Sequence, residues 1–314
     1  MLNVVVLGAG PHCTTQHAPA LVHFVERYPG KIRLCAICDT NADRVERARE
    51  TFGFEQSFTS FEAMLDEVEV QAAFAILPHT GMLPVLEVFM ARGIPLVMEK
   101  PLGADLVESQ SIVDAVERHD APVMVSLNRR FDPAILKAKA WLAQAGPIRY
   151  LRGSMLRRKR TEPIFMWGTG IHLLDAMTAV AGPLTLARES DVHRSGAYGC
   201  VASLAGPDGL VASAEILPSS GHNEEALRMV GDDYCVDVCT GVMHHWSVRI
   251  QHAGERVLEE VCPDDEALDL RNGTYNETEA FLLALLEGRP LPAPSVHDAM
   301  VSSRVAGAVQ DVVR

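Results

Sequence analysis

Three short runs in this chain bring together residue types that could do chemistry. The first is Gly8-Ala9-Gly10-Pro11-His12-Cys13. Gly8 permits a tight turn, and Gly10 lets a pyrophosphate approach bare backbone. Pro11 and His12 then lead into a helix whose N-terminus faces the anion. Cys13 stands where the dinucleotide fingerprint has its third glycine, which weakens the helix–strand packing part of the motif. The second is Asp39, which closes the next apolar run. A carboxylate there can accept hydrogen bonds from both adenosine ribose hydroxyls and repels a 2′-phosphate, so it favours NAD over NADP. Arg44, one helical turn on, could soften that preference, and Asp39 could instead cap the following helix. The third is Glu99-Lys100-Pro101. A lysine ending a parallel strand points into the ligand crevice, where a shifted pKa would let it act as acid or base.

The surrounding patterns supply the elements that hold these residues. Apolar runs at Leu2–Leu7, Ile32–Cys38, Ala72–Leu77, Pro95–Met98 and Pro122–Leu127 read as strands, with a shorter one near Gln56–Thr59. Helical spacing falls between them, at Pro19–Tyr28, after Asn41, over Phe61–Val68, Leu83–Ala91 and Asp105–Glu117. Unbroken apolar strands alternating with helices predict a parallel sheet covered on both faces, with ligand beyond the C-terminal strand ends. After about residue 130 the texture changes. Strand-like segments at Tyr150–Leu156, Tyr198–Leu204, Leu210–Ile216, Glu225–Val230, Cys235–Cys239 and Trp246–His252 are separated by glycine, proline and aspartate turns. Helices are expected at Pro133–Gln144, Gly170–Ala181, Tyr275–Glu287 and Ser295–Val313. The expected fold class is therefore α/β. A doubly wound parallel Rossmann domain over 1–122 precedes an α+β domain over 123–314 with a large, mostly antiparallel sheet.

Composition narrows the partners. The chain has 314 residues and a formal charge of −13, which disfavours nucleic acid and anionic membranes. No run of 18 or more apolar residues occurs, and Met1–Gly10 reads as a first strand, not a signal peptide. Cys35 and Cys38 form a CxxC inside an apolar strand, which suits packing better than zinc or redox chemistry. Reduced thiols and no export signal lead us to expect the cytoplasm. His244 and His245 are adjacent in a strand and point to opposite faces, so no metal is expected there.

With Glu99-Lys100-Pro101 in place, the sequence resembles the Gfo/Idh/MocA oxidoreductases along essentially its whole length. Further matches are Asn128-Arg129-Arg130-Phe131-Asp132-Pro133, Tyr275-Asn276-Glu277-Thr278-Glu279-Ala280-Phe281 and Gly288-Arg289-Pro290. The resemblance implies that Lys100 lies beside the nicotinamide and the reacting carbon. It implies that Leu77, Pro78 and their neighbours, with Glu99 and Asn128, lie on the cofactor side. A family histidine falls at Met82 here, and His79 is its neighbour, not its match. The family's Asp-x-Gly-x-His-x-x-Asp corresponds to Gly168-Thr169-Gly170-Ile171-His172-Leu173-Leu174-Asp175. Gly170, His172 and Asp175 match, while Gly168 replaces the leading aspartate. His172 is thus the second catalytic candidate, an acid or base near neutrality. Asp175, one turn on, could orient it or face the core.

Two further features bear on substrate. Arg157-Arg158-Lys159-Arg160 is a dense basic run in an acidic chain. Arg157 could bind a substrate carboxylate or phosphate, or the run could be a solvated face. Trp167 could stack on a sugar ring or simply pack. The expected activity is hydride transfer between NAD (preferred) or NADP and a secondary alcohol or ketone, of a sugar, cyclitol or derivative. The competing readings are a dinucleotide-binding regulator without turnover and a hydrolase or lyase using transient oxidation. A homodimer or homotetramer is expected from the resemblance.

Overall fold

The computed structural model describes residues 1–186 and 188–313. These form two compact units. The first comprises Met1–Ser126 and Thr274–Asp298; the second comprises Leu127–Gly273 and the chain from Ala299. The first unit therefore reaches past the expected boundary at 122 and takes in a helix from the C-terminal part of the sequence.

The first unit holds one parallel sheet of β1 (Leu2–Leu7), β2 (Ile32–Cys38), β3 (Gln56–Phe58), β4 (Ala72–Ala75), β5 (Leu96–Glu99) and β6 (Val123–Ser126). The order is β3-β2-β1-β4-β5-β6. The chain moves outward from β1 to β3 and then restarts on the other side at β4. Beyond the C-terminal ends of β1 and β4 this reversal opens a crevice, since the following loops diverge there. Val4, Val5 and Val6 are fully buried, as expected for a strand covered on both faces. Helices α1 (Ala18–Arg27), α2 (Ala42–Phe52), α3 (Phe61–Glu67), α4 (Leu83–Ala91) and α5 (Leu106–His119) link the strands. Asn41 caps α2 as expected, its side chain accepting from Arg44 N at 2.8 Å.

The segment before α1 departs from a plain helix. Cys13–His17 forms one wide π-type turn that buries Cys13 and His17. The helix Thr274–Leu286 belongs to this unit. Phe281 meets Phe74 edge to face at 5.4 Å, and Ser126 donates to Glu277 at 2.8 Å. Those contacts join residues too far apart in sequence for periodicity to pair them.

The second unit is built on a nine-stranded sheet. Its strands are β7 (Ile148–Leu156), β8 (Thr185–Leu186), β9 (Val192–Arg194), β10 (Cys200–Ala205), β11 (Val211–Leu217), β12 (Glu224–Gly231), β13 (Tyr234–Cys239), β14 (Ser247–His252) and β15 (Glu255–Val261). The β7–β11 pair is parallel and the other pairs are antiparallel. Helices α6 (Pro133–Leu142) and α7 (Ile171–Ala181) belong to this unit. Gly153 on β7 sets the distance to α7: a Cβ there would stand 2.4 Å from Met177 Sδ and 3.1 Å from Leu173. The glycine therefore lets the helix that carries His172 lie directly on the sheet.

Candidate active site

At the end of β1 the backbone turns through Gly8, with φ of +92°. A Cβ there would lie 2.2 Å from the carbonyl oxygen of Ile76, so no other residue fits between the β1 and β4 ends. Gly10 is different: a Cβ there would meet nothing within 4 Å. Its bareness leaves open space for a ligand's close approach, which is what a pyrophosphate requires.

Asp39, just past β2, ties this loop down. Its Oδ2 accepts from Ala9 N at 2.8 Å and its Oδ1 accepts from Asn41 N at 2.9 Å. Arg44 Nη1 lies 3.5 Å from Oδ2. Helix capping falls to Asn41, so the carboxylate braces the loop and stands beside a guanidinium.

A cavity of about 760 Å³ lies in this unit, within the size range of small-molecule sites. It is lined by Gly8, Gly10, Pro11, His12, Asp39, Leu77, Pro78, His79, Glu99 and Lys100. The ten expected cofactor residues of this unit thus share one wall. Arg44, Thr59, Ser60, Phe61 and Glu62 also line it. The last four follow β3, and the rule that ligands sit beyond strand ends could have found them. An open glycine loop, a carboxylate and a lysine on the wall of one cavity, and the apolar Leu77 and Pro78 fit a dinucleotide.

Glu99 is the buried centre of the cavity wall. Its Oε1 lies 2.8 Å from His17 Nε2 and 3.0 Å from His12 Nε2, and its Oε2 accepts from Lys100 N at 3.2 Å. Burial pushes the His17 pKa down despite the neighbouring carboxylate. Burial also works to raise the Glu99 carboxyl, but His12 and His17 outweigh it and hold it well below the usual carboxylate range.

In the second unit, His172 is the second residue of α7 and is 7% exposed. A π-type turn over Met166–Gly170 precedes it and contains the buried Trp167. Asp175 is fully buried and accepts from Arg130 at 2.8 and 2.7 Å and from Ser302 at 2.8 Å. Of the two readings of Asp175, the structure gives the core-facing one: its carboxylate clamps α7 to the Asn128–Phe131 segment. A Cβ at Gly168 would meet only Ile164, at 3.9 Å, so packing does not force glycine where the family pattern has aspartate.

Asn128 and Arg157 also lie in the second unit. Asn128 Nδ2 donates to Asn272 O at 3.0 Å, and its Oδ1 accepts from Arg129 at 2.9 Å. Arg157 is 4% exposed, pairs with Glu225 and donates to Leu156 O at 2.9 Å and Glu224 O at 3.1 Å. Burial and the nearby Arg129 push its pKa down to about 9. Its guanidinium is committed to the core, which corrects the expectation of a substrate anion there. Arg129 grips the same Glu225 at 2.9 Å through both Nε and Nη2, so one buried carboxylate holds two arginines.

Residues 2–127 match the family described as "Oxidoreductase family, NAD-binding Rossmann fold", Gfo/Idh/MocA. The chain is 29% identical over 188 residues to an inositol 2-dehydrogenase of Corynebacterium glutamicum, covering 58% of this chain and 54% of that protein. The chain spans about half the length of the first curated relatives it matches. A longer match, 27% identical over 305 residues, covers 91% of this chain and 89% of a UDP-N-acetylglucosamine 3-dehydrogenase of Acidithiobacillus ferrooxidans. A levoglucosan dehydrogenase in complex with NADH superposes with a TM-score of 0.79 at 18% identity, covering 99% of this chain and 96% of that one. This last likeness shows the fold. Residues 2–127 are thus an NAD-binding Rossmann domain of the Gfo/Idh/MocA oxidoreductase type.

Proposed function

We propose that the protein is an NAD-dependent dehydrogenase acting on a secondary alcohol of a sugar, cyclitol or derivative. One observation carries this reading: Gly8, Gly10, Asp39 and Lys100 line one continuous cavity beyond the ends of parallel strands. The names of the relatives, an inositol 2-dehydrogenase and a UDP-N-acetylglucosamine 3-dehydrogenase, support the substrate class.

The residues would divide the work as follows. The Gly8–His12 loop would carry the pyrophosphate and Asp39 the adenosine ribose, with Leu77, Pro78 and His79 along the nicotinamide side. Bound NAD supplies the hydride acceptor. Lys100 holds the substrate hydroxyl and takes part in moving its proton as the carbon–hydrogen bond gives up its hydride. On α7, His172 is the second acid–base group, and Trp167 is its apolar neighbour in sequence. The clamp from Arg130 to Asp175 fixes the helix that carries His172. Asp39 favours NAD over NADP, with Arg44 moderating that choice. A homodimer or homotetramer formed through the ion-paired sheet face of the second unit, in the cytoplasm, completes the proposal. In support, the seven cysteines form no disulfide, and among the described residues no helix is long and apolar enough to cross a membrane.

The test is absorbance of NADH during a screen of polyols and cyclic sugars with NAD. Turnover of at least one such alcohol is expected. Lys100→Ala should remove turnover and leave NAD binding by calorimetry nearly intact. Binding without turnover on any substrate would favour the regulatory reading, for which Gly168 in place of aspartate is the one specific sign.

A further inference from the structure

We propose that His12, His17 and Glu99 form a binding site for one divalent transition-metal ion of the zinc class in the wall of the cofactor cavity. The inference is independent of the hydride-transfer proposal, because it rests on donor atoms alone. Two imidazole nitrogens converge on a single carboxylate oxygen, at 3.0 and 2.8 Å. The three ligand atoms all lie within 4.8 Å of one another. Two nitrogens and one oxygen suit zinc and its neighbours; magnesium and calcium take oxygen sets.

The surrounding bonds aim the donors. The two imidazole rings meet edge to face, with centroids 5.3 Å apart, so their Nε2 atoms point inward and the rings do not stack. Gln16 Nε2 lies 3.3 Å from His12 Nδ1, which fixes the far side of that ring. Lys100 N binds the other Glu99 oxygen, leaving Oε1 toward the histidines. His17 and Glu99 are buried, while the His12 side chain is 45% exposed. Both His12 and Glu99 line the cavity, so an ion enters from there. The pairing was hidden in sequence because Glu99 stands 82 positions from His17.

Without an ion, each neutral imidazole can donate its Nε2 proton to Glu99. Binding moves each proton to Nδ1 and frees the Nε2 lone pairs for the ion. Tetrahedral ligands about 2.0–2.1 Å from zinc stand about 3.4 Å apart, so the rings must draw back by roughly half an ångström. His17 Nδ1 has no hydrogen-bond partner, and the new proton on His12 Nδ1 would face the Gln16 amide nitrogen, itself a donor, so neither proton finds an acceptor as the side chains stand. A missing outer partner of this kind weakens a metal site by about 10- to 100-fold. A micromolar site is therefore expected, not a nanomolar one.

The full chain, stripped with EDTA and dialysed, is titrated with zinc chloride by calorimetry at about pH 7.5, where imidazoles are neutral. Cobalt(II) absorption provides a second readout of four-coordinate geometry. One ion per chain is expected. His12→Ala, at a half-exposed position where the helical segment starts, should weaken uptake at least about tenfold and remove the cobalt band. Glu99→Gln should do the same, and His244→Ala, on an exposed turn of the second unit, should change neither. Zinc uptake that survives His12→Ala, or no uptake at micromolar zinc, overturns the assignment.

Discussion

Replacing Asp39 separates the bracing its carboxylate does from the cofactor selection proposed for its charge. It holds the N–H of Ala9 at 2.8 Å and of Asn41 at 2.9 Å, so it ties the phosphate loop to the start of α2. Hydrogen bonds to a charged acceptor contribute about 1.5–3 kcal/mol each. Ala9 is 1% exposed, so its N–H would lose its partner without gaining water, whereas Asn41 is exposed and can be rehydrated. Asp39→Ala should therefore cost the first unit about 2–3 kcal/mol, essentially the Ala9 bond. Asp39→Asn keeps one acceptor oxygen and should cost about half as much. The charge acts separately. A 2′-phosphate carries about −1.5 to −2 charge. At about 6 Å and an effective dielectric of about 40, each unit of that charge is repelled by about 1.4 kcal/mol. Loss of the carboxylate also frees Arg44, 3.5 Å away, to attract the phosphate. Asp39→Asn should thus shift the ratio of NADP to NAD affinity by about 10- to 100-fold toward NADP. Calorimetry of both cofactors on the wild type and the two variants, beside thermal unfolding, reads both effects. An unchanged ratio in Asp39→Asn would refute the electrostatic assignment and leave Asp39 as a brace for the loop.

Other substitutions probe the second unit. Glu225→Gln leaves Arg129 and Arg157 buried without their shared anion and should cost about 3–5 kcal/mol, read as a lower denaturant midpoint; a loss under about 1 kcal/mol would mean water already reaches the pair. Arg130→Met strands the fully buried Asp175 and should cost a similar about 3–5 kcal/mol, with turnover falling as α7 loosens; full activity would detach the clamp from function. Gly168→Asp meets only Ile164 at 3.9 Å and should change stability by no more than about 0.5 kcal/mol. If the substrate hydroxyl is handled near this helix start, the added carboxylate should also alter the pH profile of turnover.

What the sequence could reveal followed from how local each signal was. The five longer strands of the first sheet were legible because each is a near-continuous apolar run, the mark of burial on both faces. Asp39 and Lys100 were legible because both stand at the ends of such runs. β15 was missed because Glu255–Val261 is a polar edge strand whose residues are mostly exposed, and an edge strand has only one neighbour to demand apolar side chains. The wide turns at Cys13–His17 and Met166–Gly170 were hidden because one extra residue per turn barely alters helical spacing. Arg157 was misread as a substrate contact because a basic run in an acidic chain looks unpaired until its anion is known. Glu225, which also holds Arg129 from 96 positions away, leaves no trace in the local pattern.

The two units should respond to pH with opposite slopes. In the first, burial keeps the His17 ring neutral by lowering its pKa. Below about pH 6.5 the unfolded chain gains a proton there and the folded unit does not. The unfolded state then binds more protons, so stability rises with pH and is lost as pH falls. Glu99, held below the usual carboxylate range, adds a loss of the same sign below about pH 4.3. In the second unit, burial raises the Asp132 carboxyl to about 7, although the N–H groups of Gly241 and Ala134 oppose it. Between about pH 4 and that value the folded unit holds the extra proton, so its stability falls as pH rises, by about 1.4 kcal/mol per pH unit. Hydrogen exchange corrected for intrinsic rates can follow each unit separately through the slow amides of β1 and β4 or of β13. From about pH 5 to 6.5, protection should grow in the first set and shrink in the second, and Asp132→Asn should flatten only the second. A flat profile in the second set of the wild type would show that Asp132 is ionised in the folded unit, because a carboxylate ionised in both states takes up no proton over that range.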